Sequence, residues 1–212
     1  MTTYNDRVTA DYSPLLVHFT AQRKMMMPVD DLHPLAAHRQ SSAKDKLLSV
    51  LRLRTIYASP MPHLAAKPEA VCFTECIWDG LVELSDVSYS PYGVVLRKKL
   101  IHDRGGGPAL YVRGDSIVAF GARIPDELAP MIAPFDPDAH LQRNVPLDWI
   151  HEREWRLPRS LEFEHSDLIH VLVDTVDDVV EISALTDLPA RMFIPMEVYR
   201  TIKKAWPSKA GG

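Results

Sequence analysis

The sequence predicts one α+β domain. A chain of 212 residues has the length of a single large domain, and its composition, 46% hydrophobic and 25% charged, is that of a globular protein. Strand-like and helix-like patterns occur along the chain without regular alternation, which argues against a doubly wound parallel sheet. We therefore expect one domain over residues 1–212 with flexible termini and an ordered core of about residues 12–206.

The first part of the chain predicts two strands and a helix. Residues 15–20 form a short apolar run, interrupted by His18, that is typical of a buried strand. Residues 43–54 place three leucines on one side of an amphipathic helix, capped by Ser41 or Ser42. Residues 71–74 form the next strand, and the segment between the first strand and the helix is expected to be a long loop.

The remainder of the chain predicts further short elements. Strands are expected at residues 92–97, 109–113, 152–157 and 168–173. The first two of these are candidates for a hairpin across the glycine turn at residues 105–107. Helices are expected at residues 77–84, 126–132 and 195–205.

The charge balance of the chain argues against general attraction to nucleic acid but leaves a local binding patch open. The formal net charge of −4 gives no global attraction to nucleic acid. A local basic patch remains open, formed by Arg52, Arg54, Arg97, Lys98 and Lys99.

The cysteines and the apolar segments indicate a cytoplasmic location. Cys72 and Cys76 are interpreted as reduced, partly buried thiols, because disulfides are rare in the cytosol. Residues 1–11 contain no apolar core of a signal peptide, and we expect no membrane span.

The segment His-Glu-Arg-Glu-Trp-Arg at residues 151–156 is the richest in chemical groups. In a strand, Glu152, Glu154 and Arg156 share one face. That face is either solvated or part of a polar cleft. Trp149 and Trp155 bracket the segment and favour burial, and Arg156 is placed to hold Glu154 ionised and oriented.

Two more polar positions lie within predicted strands. His18 is either a buried structural histidine or a residue that faces a cleft, with Thr20 on the same side and Phe19 in the core. Thr74 ends its strand and either caps the following helix or lines a site.

Other chemistries have weaker support. The chain lacks the G-x-S-x-G elbow of a serine hydrolase. Cys72 has no local signature of a catalytic nucleophile. A metal site of His18, His151 and Glu154 has no supporting ligand spacing, so no metal is expected.

Five blocks in order give the chain a family resemblance. They are HFT at residue 18, LLSVLRLRTIYAS at residue 47, CFTE at residue 72, YGVVLRK at residue 92 and HEREWR at residue 151. Together they resemble bacterial abortive-infection proteins of the AbiGi type and, more distantly, DarT-type ADP-ribosyltransferase toxins. The resemblance covers roughly residues 15–175 and rests on the order of the blocks.

The resemblance implies a fold and a set of site residues. It implies a bent, split mixed β-sheet flanked by short helices, with NAD bound as substrate in the cleft. Glu154 would then stabilise the oxocarbenium-like transition state, and Glu152 would serve the acceptor. The cofactor-binding set would be His18, Thr20, Thr74 and Arg156. Tyr57, Tyr92 or Tyr111 could replace the middle-strand residue.

Electrostatics supports that assignment of the two glutamates. Cleavage of the nicotinamide glycosidic bond builds positive charge on the ribose, which a fixed carboxylate stabilises. A second carboxylate one strand repeat away can act on the incoming nucleophile.

The sequence is thus compatible with three candidate functions. The first is an NAD-dependent ADP-ribosyltransferase, a toxin or phage-defence effector that modifies nucleic acid or protein and has a cognate antitoxin. The alternative is a non-catalytic module, an antitoxin or sensor, in which Glu152 and Glu154 are exposed or paired with arginine. A metal-dependent nuclease is the third. His18 and Glu154 on one pocket wall would favour the transferase, and burial on opposite sides of the sheet would contradict it.

Overall fold

The computed structural model describes residues 13–20, 33–38, 41–61, 67–75, 78–87, 89–120, 123–138 and 148–205. These residues form a mixed β-sheet with helices on both faces, in agreement with the predicted mixture of strands and helices. No helix among them is long and apolar enough to cross a membrane. Cys76 and the chain termini, for which we made predictions, lie outside these ranges.

The main sheet has eight strands. Its order is β12-β11-β5-β1-β4-β9-β6, and β3 pairs with the first two residues of β4, Glu69 and Ala70. Within the described ranges, β11 and β12 are the only parallel pair of this sheet. The strands are β1 (Leu15–Phe19), β3 (Ser59–Pro60), β4 (Glu69–Thr74), β5 (Gly93–Arg97), β6 (Gly107–Pro108), β9 (Glu154–Leu157), β11 (Leu168–Val173) and β12 (Phe193–Pro195).

Each face of the sheet buries its own apolar cluster. On the first face, Phe73 and Leu157 pack with residues of α1 (Ala43–Leu53), α3 (Lys98–Asp103) and α5 (Val176–Thr186). On the second face, Val17 and Phe19 pack with residues of α2 (Trp78–Val87) and α6 (Met196–Ala205). We call these the Phe73 face and the Val17 face. They separate the site residues below.

Strand β1 forms many more residue pairs with its neighbour on one side than with its neighbour on the other. Five consecutive residue pairs connect β1 with β5, whereas one pair, Val17 with Thr74, connects β1 with β4. A single pair is a narrow junction between the two halves of the sheet. The bend implied by the family resemblance stays a prediction.

A small βαβ unit covers part of the Val17 face. Its parallel strands are β7 (Leu110–Arg113) and β8 (Ile132–Phe135), connected through α4 (Gly114–Phe120). Another small pair is formed by β2 (Thr55–Ile56) and β10 (Leu161–Glu162). The carbonyls of Pro130 and Ile132 accept hydrogen bonds from β9, which ties the βαβ unit to the main sheet.

Several local predictions were wrong. Residues 92–97 and 109–113 do not form a hairpin, because α3 follows β5 directly and β7 pairs with β8. The helix expected at 126–132 is a turn, a short 3₁₀ segment (Ala129–Met131) and the start of β8. Both segments contain prolines or glycines that favour turns.

Candidate functional site

The glutamate-rich segment enters the sheet later than predicted. Ile150–Glu152 is a 3₁₀ turn, and Arg153 has a left-handed backbone with φ of 46°. Strand β9 therefore begins at Glu154, and Glu152 lies outside the strand. Glu152, Glu154 and Arg156 are nevertheless all buried, so the solvated-face interpretation is wrong.

Arg156 and Glu154 form a complete buried ion pair. The guanidinium donates to both carboxylate oxygens, with Nε–Oε1 at 2.8 Å and Nη2–Oε2 at 3.0 Å. Its remaining nitrogen, Nη1, donates to the carbonyls of Pro130 and Ile132 at 3.2 and 2.5 Å. Arg156 is 2% exposed. The predicted pairing of these two residues is confirmed, and the pair also anchors the βαβ unit.

Glu152 is held by a tyrosine that the sequence did not suggest. The Tyr89 hydroxyl donates to Glu152 Oε2 at 2.6 Å, and its ring stacks on Phe19 at 5.3 Å between centroids. Burial, together with the nearby Glu152 carboxylate, raises the pKa of Tyr89, so the phenol stays protonated. Tyr89 follows α2 in a segment without a motif, and the sequence carries no signal for it.

A second tyrosine contacts the start of β9. The backbone N–H of Glu154 donates to the Tyr111 hydroxyl at 3.2 Å, and that hydroxyl donates to the Trp149 carbonyl at 2.9 Å. Tyr111 was one of three tyrosines proposed for the site. Tyr92 instead packs against the apolar cluster of the Phe73 face, and its hydroxyl donates to Asp178 at 3.0 Å.

Thr74 and Cys72 lie beside the ion pair on β4. Thr74 is the cross-strand partner of Glu154, and Cys72 is the partner of Arg156, so all four side chains share the Val17 face. Burial, together with the negative charge of Glu154 and the hydrogen bond that the thiol donates to that carboxylate, raises the pKa of the Cys72 thiol well above its ordinary value. A thiol that stays protonated is a poor nucleophile. We call these residues, with Tyr89, Tyr111 and Glu152, the carboxylate cluster.

His18 lies on the opposite face. Val17 pairs with Thr74, so the next residue, His18, points to the Phe73 face, where its ring meets Phe73 edge-on at 5.9 Å between centroids. Its Nδ1 hydrogen-bonds to the Cys72 carbonyl at 2.9 Å. Burial lowers the pKa of His18, although this hydrogen bond opposes the change. His18 and Glu154 therefore lie on opposite faces of the sheet and do not share a pocket wall.

Thr20 forms hydrogen bonds to neighbouring segments of the backbone. Its hydroxyl bonds to the carbonyls of Ala43 at 2.8 Å and Tyr92 at 3.2 Å, and its own carbonyl accepts from the Ser90 hydroxyl at 2.8 Å. These bonds connect the end of β1 with the start of α1 and with the segment before β5. Thr20 is 4% exposed, and all of these contacts are structural.

The last residue of the CFTE block also bonds within the protein. Glu75 pairs with the buried Lys98 at 2.5 Å and accepts a hydrogen bond from the Trp155 indole at 3.1 Å. Lys98 Nζ also lies 5.4 Å from the centroid of the Trp155 ring. The three residues come from three of the sequence blocks that carry the family resemblance. The blocks are thus linked by internal polar contacts on this side of the sheet.

Of the five residues of the possible basic patch, one is buried and two others form ion pairs at the surface. Lys98 is 6% exposed and paired with Glu75, Lys99 pairs with Asp103, and Arg54 pairs with Glu164. Among the residues that the structure describes, no group of three or more histidine, cysteine or acidic side chains could hold a metal ion.

Comparisons with known proteins found no matching protein family, no similar curated protein and no similar solved structure.

Proposed function

We propose that this chain is a non-catalytic interaction module of the bacterial abortive-infection type, acting in the cytoplasm. One observation carries the proposal: Glu154 is bonded through both oxygens to Arg156 and lies on the face of the sheet opposite His18. The resemblance assigns these two residues to one NAD cleft, and the module predicts carboxylates paired with arginine.

The other motif residues support the same proposal. Glu152 accepts from Tyr89, Glu75 pairs with Lys98, and Thr20 fastens two loops. Each is buried or nearly so and bonded within the protein, so the residues of the motif blocks stabilise the fold. A stable scaffold with these contacts suits a protein that binds another protein.

An NAD-dependent ADP-ribosyltransferase is the second candidate. It is favoured by the adjacency of β1, β4 and β9, the three strands that carry the motif residues. Thr74, Glu152 and Glu154 also belong to one cluster that contains two tyrosine hydroxyls. A ligand reaching His18 from this cluster would have to pass the narrow junction between β1 and β4.

Nicotinamide release from NAD separates the two candidates. The wild type, Glu154→Gln and the exposed control Glu162→Gln are compared, each checked for folding by circular dichroism. We expect no release above buffer from any of them. Release by the wild type and Glu162→Gln that a folded Glu154→Gln loses would establish the transferase and overturn the module.

A binding experiment tests the positive side of the proposal. The chain is co-expressed with the product of the gene adjacent to its own, and the pair is analysed by size-exclusion chromatography. We expect a complex of the two proteins. Separate elution of both folded proteins, at concentrations well above those in a cell, would contradict a two-component module.

A further inference from the structure

Helix α6 is attached to the rest of the molecule by little apolar surface. Of its ten residues, only the first, Met196, is buried, and Tyr199 packs half-buried on the Val17 face. Helices α1 and α5 each bury three residues spread along their length. An element with few buried apolar contacts opens at a lower free energy than the rest of the fold, so α6 is the helix of these three that opens most readily.

Ion pairs hold the rest of α6 in place. The Arg200 guanidinium contacts Asp86 of α2 through Nη2 and Asp174, which follows β11, through Nη1, both at 2.7 Å. Lys203 contacts Glu83, also on α2, at 2.7 Å. The five side chains are between 26% and 73% exposed. Dissolved salt therefore screens these pairs, whereas it does not weaken the apolar contacts of the core.

A further carboxylate connects α6 with the start of α5. Glu197 accepts a hydrogen bond from the backbone N–H of Val176, the first residue of α5, at 2.7 Å. The backbone N–H of Glu197 donates to the Asp174 carbonyl at 3.0 Å. A carboxylate beside the first turn of a helix interacts favourably with the free N–H groups there. The contacts of α6 beyond Met196 and Tyr199 are thus largely polar.

We propose that α6 is a salt-sensitive latch, which dissociates from α2 and from the end of β11 while the sheet stays folded. Helix α6 is the last element that the structure describes, so its dissociation breaks no strand pairing within the described ranges. The open state uncovers the part of the Val17 face on which Tyr199 packs. Tyr89, which holds Glu152, belongs to the same apolar cluster, so opening loosens the surroundings of that tyrosine.

The latch does not depend on the proposed function. Neither α6 nor the carboxylates that pair with it belong to the carboxylate cluster, so a transferase and an interaction module would both retain it. What the latch requires is that the ion pairs of Arg200 and Lys203 keep α6 docked at low salt concentration.

Amide hydrogen exchange, followed by mass spectrometry on the full chain, locates the opening. Raising sodium chloride from about 0.1 M to about 1 M shortens the screening length from about 10 Å to about 3 Å. We expect the amides of α6 to exchange about fivefold faster at the higher salt concentration, which corresponds to the loss of a small part of the stability of a domain. The amides of α1 and β11 should keep their rates, because apolar contacts hold them.

Replacing the carboxylates tests the ion pairs without altering α6 itself. The double variant Asp86→Asn/Asp174→Asn removes both carboxylates that contact Arg200. Its α6 amides should exchange about fivefold faster than those of the wild type at low salt and should depend less on salt. Asp103→Asn is the matched control, because it removes an exposed ion pair with Lys99 on α3, and its α6 should exchange like that of the wild type.

Three results would overturn the latch. The first is exchange of α6 that neither salt nor the double variant accelerates. The second is wild-type α6 that exchanges at low salt as fast as an unfolded peptide, because the helix would then not be docked. The third is acceleration by Asp103→Asn as large as that by the double variant. Circular dichroism checks that each variant is folded, and the salt dependence of the wild type tests the latch without any substitution.

Discussion

Lys98 and Lys99 are neighbours in the chain with opposite environments. Lys98 is buried and paired with Glu75, which also accepts from Trp155, whereas Lys99 is exposed and paired with Asp103. Lys98→Met would leave the Glu75 carboxylate, whose side chain is only 12% exposed, without its cation. We expect the free energy of unfolding to fall by about 3–5 kcal/mol.

Urea unfolding of Lys98→Met and Lys99→Met measures this difference. Lys99→Met should unfold like the wild type, because exposed ion pairs contribute little. Equal free energies of unfolding for the two variants would show that the Glu75–Lys98 pair does not stabilise the fold.

Asp178 gives a prediction about acid stability. Burial tends to raise its pKa, but hydrogen bonds from Lys44, from the Thr175 backbone and from Tyr92 lower it below the ordinary value of 3.8. A folded pKa below the unfolded one means that the carboxylate stabilises the protein above about pH 4. This stabilisation is lost as the pH falls through the lower folded pKa.

Asp178→Asn should remove that contribution. At pH 7 the variant should be less stable than the wild type in urea, and the gap should close as the pH falls from about 4 toward 2. The neighbouring Asp177→Asn is the control and should keep the acid dependence of the wild type. A gap that stays constant with pH would contradict this role.

Some of these residue contacts could be predicted from the sequence. Glu154 and Arg156 are two apart in a strand, so their shared face and their pairing follow from strand geometry. The partner of Glu152 could not be predicted, because Tyr89 lies 63 residues away in the chain and no motif marks it. The burial of Lys98 could not be predicted either. Its partner Glu75 is distant in the chain, and the two residues come together only when the strands are arranged in the sheet.

At the scale of elements, the junction between β1 and β4 depends on His18. With one backbone pair joining the strands, the bond from His18 Nδ1 to the Cys72 carbonyl adds a second connection. Burial keeps the folded pKa of His18 below 6.5. The unfolded chain therefore binds a proton more readily, so the stability that the neutral, buried ring contributes is present above about pH 6.5 and is lost as the pH falls below it, although the bond to the Cys72 carbonyl opposes that loss.

His18→Gln should reduce this pH dependence, because an amide can donate the same bond and does not titrate. The thermal unfolding midpoint of the wild type should fall more between about pH 7 and 5.5 than that of the variant. His102 is exposed on α3, so His102→Gln should behave like the wild type. A variant with the full pH dependence would show that His18 is not the titrating group.

The elements with strong local patterns were the most predictable. The helix at α1 has both its leucine face and a capping box at Ser42, and β11 is an apolar run except for His170. Helix α5 was missed, although Thr175 and Asp178 form a capping box that marks its start. The pairing of β7 with β8 was not predictable, because a crossover through α4 replaces the expected hairpin.

At the scale of the whole molecule, the residues proposed for the site divide into two groups. Four of the six residues proposed for the site, Thr74, Glu152, Glu154 and Arg156, belong to the carboxylate cluster, and His18 and Thr20 lie elsewhere. Alternation along β1 and β4 separates them, and one residue pair sets that register. The sequence blocks could not reveal it, because register depends on pairing between distant strands.

The unfolding free energy of Glu154→Gln, Arg156→Met and the double variant tests the central claim most directly. Catalytic residues are often neutral or favourable to replace, because active sites sacrifice stability for function. If the ion pair holds the fold, Arg156→Met should lose about 3–5 kcal/mol, and Glu154→Gln should also lose stability. The double variant should lose less than the sum of the two. Single variants as stable as the wild type, or more stable, would contradict a structural role and return Glu154 to the active site of a transferase.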